Sequence, residues 1–120
     1  MPQDSRARSI SGLPVISAPD EIDIASADQL REALLAVSTP GAVVVMDMTE
    51  TTFCDSSGLD LFAEISDRLY ESGGELRVVV CSAMVRRVMT VTGVDQLVRT
   101  FPTLYKALTA RPRHCYHQAA

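Results

Sequence analysis

The sequence predicts an α/β domain built on a small, mostly parallel sheet of about four strands with about four helices. Three observations carry that expectation. Strand-like and helix-like blocks alternate along the chain, a pattern that pairs strands in parallel through right-handed crossovers. Residues 43–46 (VVVM) form an unbroken apolar run ending at Asp47, as a strand buried on both faces requires. The chain has 120 residues, 47% hydrophobic and 22% charged, which suits one domain with its own core and leaves little room for a second.

The elements follow in order. Residues 1–12 are rich in Ser, Arg and Gly without periodicity and read as a flexible amino-terminal arm. Residues 13–18, limited by Pro14 and Pro19, read as an edge strand, because proline cannot donate to a central ladder. Leu30, Ala33, Leu34 and Val37 share one face of a helix over 26–37, with Ser26 as N-cap and Pro40-Gly41 as the stop. The 43–46 run belongs at the centre of the sheet. Leu59, Phe62, Ile65 and Leu69 then recur at helical spacing over 57–72, and Gly73-Gly74 ends the helix. Residues 76–81 (LRVVVC) give the next strand, and Met84, Val85, Val88 and Met89 the face of a helix ending near Gly93. Residues 97–101 form a last short strand. Pro102 opens a closing helix over 103–111 with Leu104, Ala107 and Leu108 inward, and 112–120 (PRHCYHQAA) read as a flexible tail. The domain therefore spans 13–111.

Composition excludes several function classes. A formal net charge of −4 gives no electrostatic grip on a polyanion, so nucleic acid is not an expected partner. No stretch approaches about 18 apolar residues, so direct membrane insertion is not expected. Asp4, Arg6 and Arg8 are followed by no apolar run, so no signal peptide is expected either. Cys54, Cys81 and Cys115 form no CxxC pair, and their odd number suits a reducing compartment; the expected location is the cytoplasm.

The stretch over 43–62 (VVVMDMTETTFCDSSGLDLF) is the most informative. A buried strand ends, a polar loop crosses its carboxyl edge, and a helix begins near Asp55-Ser56-Ser57-Gly58. In open α/β sheets that edge is where ligands and partners bind. Ser57 stands three residues before Asp60, a capping-box spacing that gives its hydroxyl a structural task. Ser56 lies one position outside the helix, where its hydroxyl can face solvent beside the positive end of the helix dipole. Ser56 is thus the better target for modification.

With those residues in view, the sequence resembles the STAS domains of bacterial anti-sigma factor antagonists. The D-S-S-G-L motif at residues 55–59, preceded by V-V-V-x-D-M and Phe53, carries the resemblance. Glu21-Ile22-Asp23 before an alanine-rich helix, Gly73-Gly74-Glu75-Leu76 before a valine strand, and the segment from Met84 to Val94 extend it over about 13–111. The resemblance implies a STAS fold and a non-enzymatic partner switch. The unphosphorylated protein would bind an anti-sigma factor of the serine-kinase type, freeing a sigma factor. Phosphorylation of Ser56 would break the complex, and a serine phosphatase would restore it. Asp23 and Asp55 match acidic positions flanking the serine, and with Ser56, Ser57 and Gly58 they make the implied partner-binding set. Two departures stand out: Asp20 replaces the family's glycine before E-x-D, and the usual amino-terminal strand pair is expected to be shortened or replaced by the arm. An alternative from another class is an accessory subunit of a membrane transport complex, in which a similar domain grips a transporter.

Other chemistries find little support. A serine nucleophile needs G-x-S-x-G, but Cys54 stands two residues before Ser56 and no histidine lies near it in sequence, so no catalytic residue is assigned. His114, Cys115 and His117 are irregularly spaced for zinc and no metal is expected. No cofactor motif is present. Cys54, Cys81 and Cys115 are candidates for thiol regulation, although Cys54 and Cys81 also read as small core residues.

Overall fold

A computed structural model describes residues 6–113. Its elements are β1 (Arg6–Ile10), β2 (Leu13–Ser17), β3 (Glu21–Ile22), α1 (Ile24–Val37), β4 (Val43–Met48), β5 (Phe53–Cys54), α2 (Ser56–Glu71), β6 (Glu75–Val80), α3 (Ala83–Thr92), a 3-10 turn (Val94–Gln96), β7 (Arg99–Phe101) and α4 (Leu104–Thr109). Five strands form the central sheet in the order β1-β2-β4-β6-β7, parallel except for the antiparallel β1–β2 pair. The α/β reading holds, with one more strand in the sheet than expected.

The extra strand comes from the expected arm. Ser11 and Gly12 take φ of 54° and 82°, the left-handed pair that lets a two-residue turn match the twist of its strands, so Arg6–Ile10 folds back on β2. β2 is therefore an inner strand rather than an edge. Pro14 is accommodated because it faces Ser9, one pair beyond the Ile10–Leu13 pair that closes the turn, where an antiparallel ladder places no inter-strand bond. Pairing with β4 begins only at Val15.

β4 and β6 sit in the middle, aligned from Val43–Glu75 to Met48–Val80. Helices α1, α2 and α3 cover one face, burying Leu30, Leu34, Phe62, Ile65, Leu69 and Met89 against Ile16, Met46 and Val78. On the other face α4 sets Ala107 on Val15, Val45 and Val79, with Leu104 and Leu108 packed alongside. The closing helix thus turns the predicted residues inward, over Leu104–Thr109 rather than 103–111.

β6 is buried at every position, including two charged residues that the apolar reading of the strand does not anticipate. Arg77, 1% exposed, donates from Nε to Glu75 Oε2 at 2.7 Å and from Nη1 to the Ala107 carbonyl at 2.6 Å. Arg99 donates to the same Glu75 oxygen at 2.8 Å, and the Arg113 N–H to Glu75 Oε1 at 2.7 Å. Burial alone would raise the Glu75 carboxyl, but the Arg77 and Arg113 hydrogen bonds and the charges of Arg77 and Arg99 outweigh it and hold it below the usual range. Pro112 and Arg113, assigned to the tail by sequence, therefore begin as a segment held to the sheet. Residues 114–120, with His114, Cys115 and His117, lie outside the described residues.

Candidate functional site

The site is assembled by a parallel mini-sheet too short to show in the sequence. Glu21 pairs with Phe53 and Ile22 with Cys54, and the next amide, Asp55 N–H, donates to the Ile22 carbonyl at 3.0 Å. Upstream, the Thr52 N–H donates to Asp20 and the buried Thr51 hydroxyl to the Pro19 carbonyl at 2.7 Å. The loops after β2 and β4 are thereby zipped together. One residue past the zipper each becomes a helix, so Asp23 and Asp55 stand side by side as the two N-caps.

Each cap corrects an expectation. The cap of α1 is Asp23, three residues before Ser26. Its Oδ1 accepts from the Ser26 N–H at 3.0 Å, while Ser26 Oγ accepts from the Asp23 N–H at 2.9 Å, a reciprocal box. These Ser26 hydrogen bonds hold the Asp23 carboxyl below its ordinary range. The cap of α2 is Asp55 rather than Ser57: Asp55 Oδ1 accepts from the Ser57 N–H at 2.9 Å and from the Ser57 hydroxyl at 2.6 Å. A carboxylate on extended backbone just ahead of the helix can accept both donors, and the helix consequently starts at Ser56.

The two serines end in different environments. Ser57 is half-buried with its hydroxyl tied to the cap. Ser56, in the first helical position, is exposed, and its hydroxyl has no hydrogen-bond partner among the described residues. It faces solvent where the first amides of α2 concentrate positive potential.

Gly58 is buried beneath it. A β-carbon there would lie 2.6 Å from Cys54 Sγ and 2.7 Å from Ile22 Cγ2, so the first turn of α2 can rest on the mini-sheet only with glycine at this place. Its contribution to any contact is through backbone and position. Cys54 is likewise interior. Burial first, and the Asp55 charge second, push its thiol up to about 12, which disfavours the thiolate at neutral pH. Cys81, expected as a core residue, is exposed where β6 ends, with Sγ 3.5 Å from the Pro102 carbonyl. Cys115 lies outside the described residues.

Around Ser56 the carboxyl edge exposes apolar side chains that a sequence reading has no means to place on the surface. Ile24 follows the Asp23 cap, Phe53 lies in the mini-sheet, and Met84 is in the first turn of α3; they are 71%, 48% and 67% exposed. Met84 and Met89 share a sequence pattern, yet only Met89 is core. Between the first halves of α1 and α2 runs a hollow of about 230 Å³ lined by Ile24, Ala27, Ser57 and Leu61 and edged by Asp28 and Asp60. Arg31 of α1 and Glu64 of α2 close its far end with a bidentate pair. Among the described residues no helix is long and apolar enough to cross a membrane.

The STAS domain family model matches residues 5–107, which takes in every element of the central sheet and the cap-serine edge. The chain belongs to the STAS-domain family of anti-sigma factor antagonists. It is 34% identical over 101 residues, 82% of this chain and 81% of the relative, to the anti-sigma-F factor antagonist RsfB of Mycobacterium tuberculosis. Its fold superimposes with a TM-score of 0.79 on the crystal structure of an anti-sigma factor antagonist from Mycobacterium paratuberculosis, at 31% identity, covering 88% of this chain and 90% of that one. The Bacillus cell fate determinant SpoIIAA, solved in its phosphorylated form, shares the fold at a TM-score of 0.66 and 20% identity, over 87% of this chain and 96% of that one. The match from residue 5 agrees with β1 as part of the domain rather than an arm before it.

Proposed function

We propose that this STAS domain binds an anti-sigma factor of the serine-kinase type through the edge that carries Asp23, Asp55, Ser56, Ser57 and Gly58, and that phosphorylation of Ser56 ends the complex. The observation that carries the reading is the exposed Ser56 hydroxyl at the first position of α2, without a hydrogen-bond partner among the described residues and set among exposed Ile24, Phe53 and Met84. Apolar side chains grouped on an otherwise charged surface suit a protein contact. The relative RsfB is named for antagonism of an anti-sigma factor, which supports the choice of partner. Binding would free a sigma factor in the cytoplasm, and a serine phosphatase would reset the switch. In this reading the chain is a substrate, not a catalyst.

Physical chemistry favours a switch at the interface over one inside the fold. A phosphoryl group on Ser56 adds about −1.5 to −2 charges and three strong acceptors. The amino end of α2 stabilises that charge by roughly 0.3–1 kcal/mol, while Asp55 and Asp60 oppose it, so the domain stays folded. A docked partner would have to desolvate the phosphate beside Ile24 and Phe53. Only about 2.8 kcal/mol of such cost lowers affinity 100-fold.

The test is a pull-down from the source cytoplasm with wild type and Ser56→Asp as parallel baits. An anti-sigma factor kinase held by wild type and lost by the aspartate variant is expected. Equal retention of that factor by both baits, or of a transporter subunit in its place, would overturn the reading.

A further inference from the structure

The edge of the sheet opposite Ser56 carries a feature that the partner switch does not use. We propose that Arg99, Arg111 and Arg113 form a binding site for a compact, multiply charged oxyanion of the phosphate or polycarboxylate type. Among the described residues, these three arginines and Pro112 line a concavity of about 240 Å³. Among the described residues no acidic side chain lines it, in a chain whose 15 acidic residues outnumber its 11 basic ones.

The nearest carboxylate cannot neutralise the three. Glu75 is buried below them and already filled: Oε2 accepts from Arg77 and Arg99, and Oε1 from the Arg113 backbone N–H. Arg99 is fixed by Glu75, by the Arg111 carbonyl at 2.6 Å and by the Phe101 ring, whose centroid lies 5.3 Å from its guanidinium carbon. The guanidinium groups of Arg111 and Arg113 have no hydrogen bond or ion pair among the described residues. Asp67 lines a separate hollow on another side of Arg113 and forms no ion pair with it. The result is one cation held by a buried network and two beside it whose guanidinium donors meet no acceptor among the described residues.

Size and chemistry narrow the ligand. The concavity is smaller than the roughly 300–1,000 Å³ of typical drug-sized ligand sites, which suits a few oxygens and not a nucleoside. Guanidinium forks match the paired oxygens of phosphates and carboxylates. The site is also remote from Ser56. Glu75 begins β6 and the Ser56 edge lies beyond its carboxyl end, so the two are separated by at least the strand's length, roughly 16 Å at ~3.3 Å per residue. The arginine site is therefore independent of the proposed switch.

The test titrates the full chain with pyrophosphate and, in a second arm, citrate at constant ionic strength, following backbone amides by nuclear magnetic resonance. One or both anions should shift the amides of Arg99, Arg111 and Arg113 and leave those of Arg8 and Arg31 in place; the arm that responds names the ligand chemistry. Arg111→Gln/Arg113→Gln should weaken binding at least ~10-fold, whereas Arg8→Gln should not, since Arg8 pairs with Asp47 elsewhere. The double variant should fold, because that segment is tied down by the Arg111 carbonyl and Arg113 N–H, which glutamine retains. No movement of the three amides by millimolar amounts of either anion, or undiminished binding by the double variant, would overturn the site.

Discussion

Replacing Gly58 with alanine tests how the Ser56 turn is held. On helix propensity alone the change should stabilise α2 by up to about 1 kcal/mol. The added methyl, however, would lie 2.6 Å from Cys54 Sγ and 2.7 Å from Ile22 Cγ2, and both neighbours are buried in the mini-sheet. Ile22 is β-branched and fully enclosed, so it has no rotamer into which to retreat. Overpacking of this kind costs roughly 1–3 kcal/mol, and with two contacts the upper half of that range applies, leaving a net loss of about 1–2 kcal/mol. For a domain of this size that lowers Tm by roughly 3–10 °C. The assay is calorimetric unfolding of Gly58→Ala, Cys54→Ala and the double variant. Removing the sulfur should relieve one of the two contacts, giving a favourable coupling of about 1 kcal/mol. A Gly58→Ala protein more stable than wild type, or strict additivity in the double variant, would refute the packing argument.

Other predictions follow from the same geometry. Asp55→Ala should lose about 1–2 kcal/mol in urea unfolding while Asp55→Asn loses far less, because asparagine caps nearly as well; equal losses would contradict a capping role. Glu75→Gln should cost about 3 kcal/mol at neutral pH by leaving Arg77 buried without its counter-charge. Since Glu75 titrates below its usual range when folded, its contribution is complete above the unfolded value of 4.5 and fades as pH falls through the folded one, so the gap between variant and wild type should close in acid. A gap constant from pH 7 to pH 3 would show that the carboxylate is not the source. In a Cys115→Ser background, a thiol reagent at neutral pH should label Cys81 in the native protein and Cys54 only on unfolding; rapid native labelling of Cys54 would contradict its burial.

The parts of this molecule that were legible in its sequence are those in which one physical signal dominates. The valine run of β4, the helical spacing of α2 and the Gly93 end of α3 each follow from burial or backbone geometry alone, and each lies where the pattern puts it. β1 escaped because Arg6, Arg8 and Ser9 look like a polar arm until the Ser11-Gly12 turn supplies a partner strand. β3 and β5 pair only two residues each, below any periodicity, yet they set the site. Glu75 and Arg77 could not be read as a buried pair, since Arg99, Ala107 and Arg113, which complete the network, come from 22 to 38 positions further along. At the site the position of Ser56 beside the helix start placed it toward solvent, and it is exposed, while the cap role moved from Ser57 to Asp55 and the exposed rim of Ile24 and Met84 emerged only from the fold.

The central claim is that Ser56 is the modified residue and that its modification releases the partner. The most direct measurement incubates the chain with its anti-sigma factor and ATP, maps the phosphate by peptide mass spectrometry, and compares the affinity of the two forms by calorimetry. A single phosphate on Ser56, absent from Ser56→Ala, with affinity lowered at least ~100-fold, is the expected result. Phosphate on Ser57 with Ser56 untouched, or a phosphorylated Ser56 that leaves affinity unchanged, would contradict it.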